Sequence, residues 1–184
     1  MKTHFSQERI TYTGEQLSSL WAFKKFSIHG NSIVSFRGPA EVREHMVDQA
    51  DVMRKAYIYS EDMIHFIIEL FDLNLERSIV LQRLLIADIK DILMAQVSTR
   101  AIVRSGDDLY DGDKKLSVSI ATLSPVSTLI HIGVNVSSKN TPVPTKGLAD
   151  YGIVPEEFAE TVLQKFNTEY NSMKLARMKV SGVA

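Results

Sequence analysis

An aspartate and a lysine that could hold a ligand together lie in the stretch 107–136. An Asp-Gly pair between Tyr110 and Asp113 tolerates the positive φ values of a two-residue hairpin turn. A hairpin closed by those two residues puts Asp108 directly opposite Lys115, with Cβ atoms roughly 5 Å apart. The pair is therefore a candidate site. The alternative is an ordinary ion pair on a solvated sheet face, which contributes little stability.

A second turn, predicted near Ser124 and Pro125, returns the chain along a neighbouring strand. The strand before it alternates large apolar residues with lysine and small residues, so its two faces differ. With a tight turn, three pairs stand opposite each other: Lys115 with Asn135, Ser117 with Gly133, and Ser119 with His131. Asp108 extends the first pair into a polar row across three strands. The small neighbours leave room for a ligand.

Length and composition predict one globular domain, 1–184. A chain of 184 residues, 45% hydrophobic and 23% charged, can bury a core. Its formal net charge of -1 argues against general electrostatic binding to nucleic acid or to an anionic membrane. The absence of cysteine excludes disulfides and a thiol nucleophile. No apolar run resembles a signal peptide or a membrane span, so we expect a soluble cytoplasmic protein.

Hydrophobic spacing predicts strands and helices in alternation along the chain. The predicted strands lie in 1–10, 33–36, 57–59 and 100–103 and in the two hairpins, and the predicted helices are 14–25, one that begins at Ser60, 75–94 and one that begins at Pro155. Thr13 and Gln16 have the spacing of a capping box for the first helix. Segment 137–152, rich in proline and glycine, is predicted to be a loop that crosses one edge of the site. It could cover a ligand or be a plain connector.

Arg37 and Gly38 stand where a predicted strand ends in a Gly-Pro break. A guanidinium there could be presented to a carboxylate or phosphate, and a surface arginine before a turn is the equal alternative. His45 and Asp48 have the spacing of two metal ligands on a helix, but no matching pair stands elsewhere, so no metal site is predicted. His65, among large apolar residues, is interpreted as packed at the edge of the core. The sequence has neither a P-loop, a GxGxxG motif nor a GxSxG motif.

The central stretch resembles the catalytic domains of biotin protein ligases, lipoate ligases and octanoyltransferases, which share a fold with class II aminoacyl-tRNA synthetases. Asp108-Leu109-Tyr110, an acidic turn and Lys114-Lys115-Leu116 are similar to the ligases' NDLY segment and KL strand. Ile130–Val136 resembles their closing strand with its GxN signature. The whole chain also resembles an uncharacterised conserved family, a domain of unknown function. The resemblance implies an α+β fold with a mixed, mainly antiparallel sheet flanked by helices.

The resemblance also implies roles for two residues. In the ligases, the lysine at the position of Lys115 binds the carboxylate of the acyl substrate and the phosphoryl group of its adenylate, where a cation offsets the anions. The acid at the position of Asp108 lies near the amine of an acceptor protein lysine and can help to remove its proton. ATP with Mg²⁺ would be the cofactors.

The chain departs from the ligase pattern where the ligases hold the nucleotide. In place of their glycine- and arginine-rich loop it has Phe36-Arg37-Gly38-Pro39, and Ser117-Val118 replaces the glycine that follows KL in biotin ligases. Three hypotheses remain: an enzyme that binds a small carboxylate or its adenylate, a non-catalytic binding protein that kept the fold, and a module that assembles into a homo-oligomer through exposed strand edges. In the first two, Lys115 and Asp108 are the central residues, and the predicted ligand-binding residues around them are Arg37, Gly38, Ser117, Ser119, His131, Gly133 and Asn135.

Overall fold

The structure, a computed structural model, describes residues 1–54, 56–97 and 102–183. The strands within these residues are β1 (Lys2–Ser6), β2 (Ser32–Val42), β3 (Ile58–Leu70), β4 (Ile102–Ser105), β5 (Asp108–Asp111), β6 (Lys114–Lys115), β7 (Ser117–Leu123) and β8 (Thr128–Asn135). The helices are α1 (Trp21–Phe26), α2 (Gln49–Met53), α3 (Leu75–Gln96) and α4 (Pro155–Met178), with a 3₁₀ turn at Leu148–Tyr151. No helix in these ranges is long and apolar enough to cross a membrane.

The strands form one large sheet and one small one. The large sheet has five strands in the order β1-β2-β3-β8-β7, and β1 is parallel to β2 while the other neighbours are antiparallel. The small sheet has the order β4-β5-β6. The predicted α+β fold, with a mixed, mainly antiparallel sheet flanked by helices, is confirmed.

The two long helices cover one face of the large sheet and form the main core with it. Asn74 caps α3, because its side chain accepts a hydrogen bond from the backbone N–H of Arg77. Pro155 begins α4, where a missing N–H leaves no bond unmade. Phe158 and Phe166 of α4 are buried, and each such side chain stabilises the fold by roughly 2 to 3 kcal/mol. Both predicted long helices are confirmed.

The prediction of a helix from Ser60 is wrong, because β3 runs through this segment to Leu70. β3 is the middle strand of the large sheet, and every residue from Met63 to Leu70 is buried. Such a strand has no alternation of polar and apolar residues, so its sequence looks like a buried helix. His65 lies in the middle of the sheet and is fully buried, rather than at the edge of the core.

Two other predicted boundaries are also wrong. β2 does not end at Gly38, since it passes an irregularity between Gly38 and Ala40 and continues to Val42. The helix predicted over 14–25 is reduced to α1. The Gln16 side chain does accept a hydrogen bond from the Thr13 N–H, but the residues in between form turns. A capping interaction of this kind also stabilises an isolated turn.

The strand pairing of the first hairpin differs from the prediction by two residues. Asp111 pairs with Lys114 and Tyr110 with Lys115, so the turn does not close between Tyr110 and Asp113. Side chains alternate between the two faces of a strand, and a shift of two residues leaves Lys115 on the face of Asp108. Asp108 and Lys115 therefore still lie on one face, although the predicted register was wrong.

The second hairpin differs from the prediction by one residue, which reverses the faces. Val118 lies opposite Gly133 and Ile120 lies opposite His131, in place of Ser117 and Ser119. The cause is the length of the turn, since Leu123 pairs with Thr128 and four residues, 124–127, connect the strands. At Leu116 the chain passes from the small sheet to the large one, which interrupts the strand that was predicted as continuous. The apolar side chains of β7 therefore share a face with His131.

Candidate functional site

A cavity of about 390 Å³ lies over the face of the large sheet that α3 and α4 leave uncovered. Its floor is formed by Met63 of β3, Val118 and Ile120 of β7, and His131 of β8. Residues 45–48, 51 and 56–60, on and around α2, make one wall, and residues 141–145 lie at the rim. Cavities that hold small molecules in proteins are about 300 to 1,000 Å³. The cavity therefore has the size for a small ligand.

Lys115 and Asp108 form an ion pair in the wall of this cavity. The distance from Nζ to Oδ2 is 2.6 Å, and both side chains are mostly buried. Burial pulls the pKa of Lys115 down, but the charge of Asp108 and the hydrogen bond to it outweigh burial and raise that pKa. Burial raises the pKa of Asp108, and the ammonium opposes that rise. Lys115 is therefore a cation at neutral pH that already has one carboxylate beside it.

The two serines after Lys115 hold the small sheet against the large one. The Ser117 hydroxyl donates to Asp108 Oδ1 (3.1 Å) and accepts from the Leu109 N–H (2.9 Å). The Ser119 hydroxyl donates to the Asp107 carbonyl (2.7 Å) and accepts from the Gln82 side chain (2.6 Å). Both serines border the cavity, but their hydroxyls are engaged with the protein. Their clearest structural effect is to fix Asp108 and Asp107.

Asn135 and the loop after it fix the backbone of Lys115. The Asn135 side chain donates to the Lys115 carbonyl at 3.2 Å, and the Lys115 N–H donates to the Pro144 carbonyl at 2.9 Å. Thr141, Pro142, Val143 and Thr145 consequently border the cavity. The loop predicted over 137–152 does cross one edge of the site. Asn135 lies beside the backbone of Lys115 rather than beside its ammonium.

Two buried histidines and a tyrosine form a polar group under the cavity. His65 Nδ1 is 3.1 Å from His131 Nε2, and His65 Nε2 is 3.1 Å from the Gly38 carbonyl oxygen. The Tyr12 ring stacks on His131 with ring centres 3.7 Å apart. Burial lowers the pKa of His65 to about 4 and lowers the pKa of His131 well below its usual value. Both imidazoles are therefore neutral at pH 7.

Arg37 and Gly38 are not among the residues that border the cavity. The Arg37 guanidinium is bound to Asp62 (2.6 Å) and to Glu156 at the start of α4 (2.7 Å). Those two bonds raise the pKa of Arg37. A side chain at Gly38 would collide with the Ile10 carbonyl, because its Cβ would lie 1.9 Å from that oxygen. The structure thus gives both residues structural contacts outside the cavity.

The remaining predicted residues lie at the cavity or directly beneath it. Lys115, Asp108, Ser117, Ser119, His131 and Asn135 border it. Gly133 lies beneath, where a Cβ would come within 2.8 Å of Met63 Cε and 3.2 Å of Val118 Cγ2. The missing side chain of Gly133 lets those two side chains approach the sheet.

Sequence reasoning missed Tyr12 and the apolar floor. Tyr12 reaches the site through a parallel bridge to Ala40 of β2, a contact with no local signal. Val118 and Ile120 were assigned to the opposite face by the one-residue register error. The run of apolar residues in β3 contained Met63 and His65, and a strand assignment there would have placed both.

Acidic side chains outnumber basic ones around the cavity. Among its described border residues there is one lysine and there are four aspartates: Asp48, Asp51, Asp107 and Asp108. No group of three or more His, Asp or Glu side chains in the described ranges is arranged to hold a metal ion. The charge balance disfavours a ligand with several negative charges.

Solved structures that share little sequence with this chain define its class of fold. A biotin protein ligase from Aquifex aeolicus in complex with biotin and ATP superposes with a TM-score of 0.61 at 14% identity, over 91% of this chain and 69% of that chain. A lipoate-protein ligase A bound with ATP superposes with a TM-score of 0.53 at 14% identity, over 92% and 85% of the two chains. This protein has the fold of the biotin and lipoate protein ligases.

Within that class of fold, the chain belongs to the family described as a domain of unknown function, DUF366, whose model matches residues 1–181. An uncharacterised protein of Methanocaldococcus jannaschii is 44% identical over 160 residues, which cover 83% of this chain and 72% of that protein. A protein of unknown function from Pyrococcus horikoshi is 38% identical, with a TM-score of 0.93 over 100% of both chains. The expected membership of an uncharacterised family with a ligase-like fold is confirmed.

Proposed function

We propose that this protein binds a small carboxylate, or the adenylate of one, in the cavity that Lys115 borders. One observation carries the proposal: a partly buried ammonium lies in the wall of a 390 Å³ cavity whose floor is largely apolar. A carboxylate would meet the cation while its hydrocarbon part covers Met63, Val118 and Ile120. A hydrogen bond between a charged donor and a carboxylate contributes about 1.5 to 3 kcal/mol.

Acyl transfer to an amine is the reaction that the pair of Lys115 and Asp108 supports best. Lys115 would hold the oxygen that becomes negative while an acceptor amine attacks the acyl carbon of the adenylate. The new carbon–nitrogen bond forms as the carbon–oxygen bond to AMP breaks, and AMP leaves. Asp108 lies 2.6 Å from that ammonium, so it could orient the incoming amine and accept its proton. The partner in such a reaction would be an amine, such as the side chain of a lysine in an acceptor protein.

The described border of the cavity is a poor match for the triphosphate of ATP. Among its described residues there are four aspartates and one lysine, and the Arg37 guanidinium is bound to Asp62 and Glu156 outside the cavity. This observation favours a second candidate function, a binding protein that kept the fold without adenylation. Release of AMP and pyrophosphate from ATP and Mg²⁺ in the presence of a candidate acid would contradict the second candidate.

The first test is a thermal-shift screen with biotin, lipoate, octanoate and amino acids, each with and without ATP and Mg²⁺. A ligand at about 100 times its Kd stabilises the folded state by about 2.7 kcal/mol. Lys115→Ala should weaken binding of the stabilising acid by about 10- to 100-fold, since it removes one charge-assisted hydrogen bond. Equal affinity in the wild type and the variant would contradict the proposal.

Lys146→Ala is the matched control. Like Lys115, Lys146 is a partly exposed lysine that is paired with an aspartate of β5, in this case Asp111. Lys146 does not border the cavity. The control removes an ammonium of similar exposure from the same region of the fold. It should therefore leave the affinity for the acid unchanged.

A further inference from the structure

The hydrogen bonds of the two histidines fix which nitrogen atoms carry protons. A carbonyl oxygen only accepts hydrogen bonds, so His65 Nε2, at 3.1 Å from the Gly38 carbonyl, must carry the proton of that ring. His65 Nδ1 is then an acceptor, and His131 Nε2, 3.1 Å away, must donate to it. His131 Nδ1 is left as a bare lone pair.

This lone pair cannot readily become a donor. A proton on His131 Nδ1 would place a charge on an imidazole that is 2% exposed and next to a second buried imidazole. Both burial and the neighbouring ring lower the pKa of His131. At neutral pH, this end of the cavity therefore presents an acceptor.

The Tyr12 hydroxyl lies at the same end. Tyr12 is 3% exposed, borders the cavity and stacks on His131. In the part of the chain that the structure describes, only its backbone makes hydrogen bonds, and His131 Nδ1 has no partner either. Both atoms remain accessible at the cavity that Tyr12 and His131 border. An accessible acceptor and an accessible hydroxyl that lack a partner among the described residues can bind a polar group of a ligand.

The polar end lies at a distance from Lys115 that a chain-like ligand could span. Asn135, which binds the Lys115 backbone, and His131 are four residues apart on β8, which corresponds to about 13 Å along the strand. Met63, Val118 and Ile120 supply apolar surface at the cavity floor. A ligand that reaches both ends would have a carboxylate at one end, an alkyl middle and a polar group at the other end.

We propose that His131 and Tyr12 select a ligand whose end distant from the carboxylate carries a neutral hydrogen-bond donor, such as a hydroxyl or an amide N–H. His131 Nδ1 accepts the hydrogen of that group, and the Tyr12 hydroxyl donates to or accepts from it. An end group that only accepts, such as an ether oxygen, faces the bare lone pair of His131. This inference rests on the proposed binding of a carboxylate beside Lys115.

The test uses three acids that differ only at the distant end: octanoate, 8-hydroxyoctanoate and 8-methoxyoctanoate. Their affinities for the full chain are measured by calorimetric titration at pH 7. A net hydrogen bond contributes about 1 kcal/mol, so the hydroxy acid should bind about five- to tenfold more tightly than octanoate. The methoxy acid should gain less than the hydroxy acid, because its ether oxygen can accept from the Tyr12 hydroxyl but cannot donate to His131 Nδ1. An equal gain for the methoxy acid, or no gain for the hydroxy acid, would overturn the inference.

Three variants test whether a preference for the hydroxy acid arises at this end of the cavity. Tyr12→Phe removes a hydroxyl without a partner in the described ranges and should keep the fold, while the preference for the hydroxy acid falls. His131→Leu should abolish it, and His131→Gln, which can donate to His65 and still accept, should restore part of it. A preference that Tyr12→Phe and His131→Gln both leave at the full wild-type value would contradict the assignment.

The two proposals fail in different ways. Octanoate binding that depends on Lys115, with no gain from the hydroxyl group, would leave the proposed function standing and overturn only the inference. Binding by none of the three acids would overturn the inference. The proposed function would be overturned as well if no acid of the wider screen bound, or if Lys115→Ala left the affinity for the bound acid unchanged.

Discussion

Lys115 already has an anionic neighbour, and this determines what a ligand carboxylate must do. Asp108 Oδ2 lies 2.6 Å from the ammonium, and the Ser117 hydroxyl holds the other carboxylate oxygen in place. A ligand carboxylate would therefore approach a cation that is partly neutralised. Binding must compete with this pairing, or an amine must enter beside Asp108 and share its charge.

Asp108→Asn should strengthen the binding of a simple carboxylate severalfold. The substitution removes the negative charge beside Lys115 and keeps the shape of the side chain. The ligand carboxylate then no longer competes with Asp108 for the ammonium. Affinity for the best acid of the screen, measured at pH 7, tests this expectation. Weaker binding in a folded variant would show that Asp108 supports the ligand rather than competing with it.

The two buried histidines connect three strands of the large sheet. His65 belongs to β3 and His131 to β8, and the Gly38 carbonyl belongs to β2. Their two hydrogen bonds cross the sheet beneath the cavity. The floor of the site and the stability of the sheet therefore depend on the same neutral imidazoles.

The free energy of unfolding should decrease as the pH falls from about 6.5 to about 4. The folded-state pKa of His65 is lowered to about 4, so between these values the unfolded chain binds a proton that the folded chain does not bind. Stability from a lowered histidine pKa is present above the unfolded pKa and is lost as the pH falls. The loss from His65 is on the order of 3 kcal/mol. His131 acts in the same direction. The charge of Asp62 raises the pKa of His65 and so limits the contribution of His65.

Urea unfolding at several pH values between 7 and 4 measures this slope. His65→Gln should be less stable at pH 7 and should have a shallower slope, because one titrating group is gone. Exposed His29→Gln serves as the control and should keep the wild-type slope. A slope that is the same in all three proteins would contradict the account of the buried pair.

The two long helices could be predicted from the sequence because each has one exposed face, and β3, which is buried on both faces, could not. α3 and α4 show their helical period because solvent selects polar residues on one side. β3 has solvent on neither side over residues 63–70, so its sequence carries no period-two signal. The ion pair of Asp108 and Lys115 was predicted through a turn signal. The exact registers were not, because the two turns lie at residues 112–113 and 124–127 rather than at the predicted positions.

The whole chain has the fold of the biotin and lipoate ligases, while the described border of its cavity carries four aspartates and one lysine. The resemblance around residues 108–136 was sufficient to predict the fold, since the hairpins carry its most characteristic motifs. It could not predict the opposite end of the cavity, where Tyr12 arrives from a distant part of the chain. The hypothesis of assembly through the edge strands β1 and β7 stays a prediction.

A crystal structure of the protein with the acid that binds most tightly would show whether the acid lies beside Lys115. The account predicts the ligand carboxylate within about 3 Å of Lys115 Nζ and the alkyl part over Met63, Val118 and Ile120. An acid bound outside this cavity, or inside it with its carboxylate directed away from Lys115, would contradict the account.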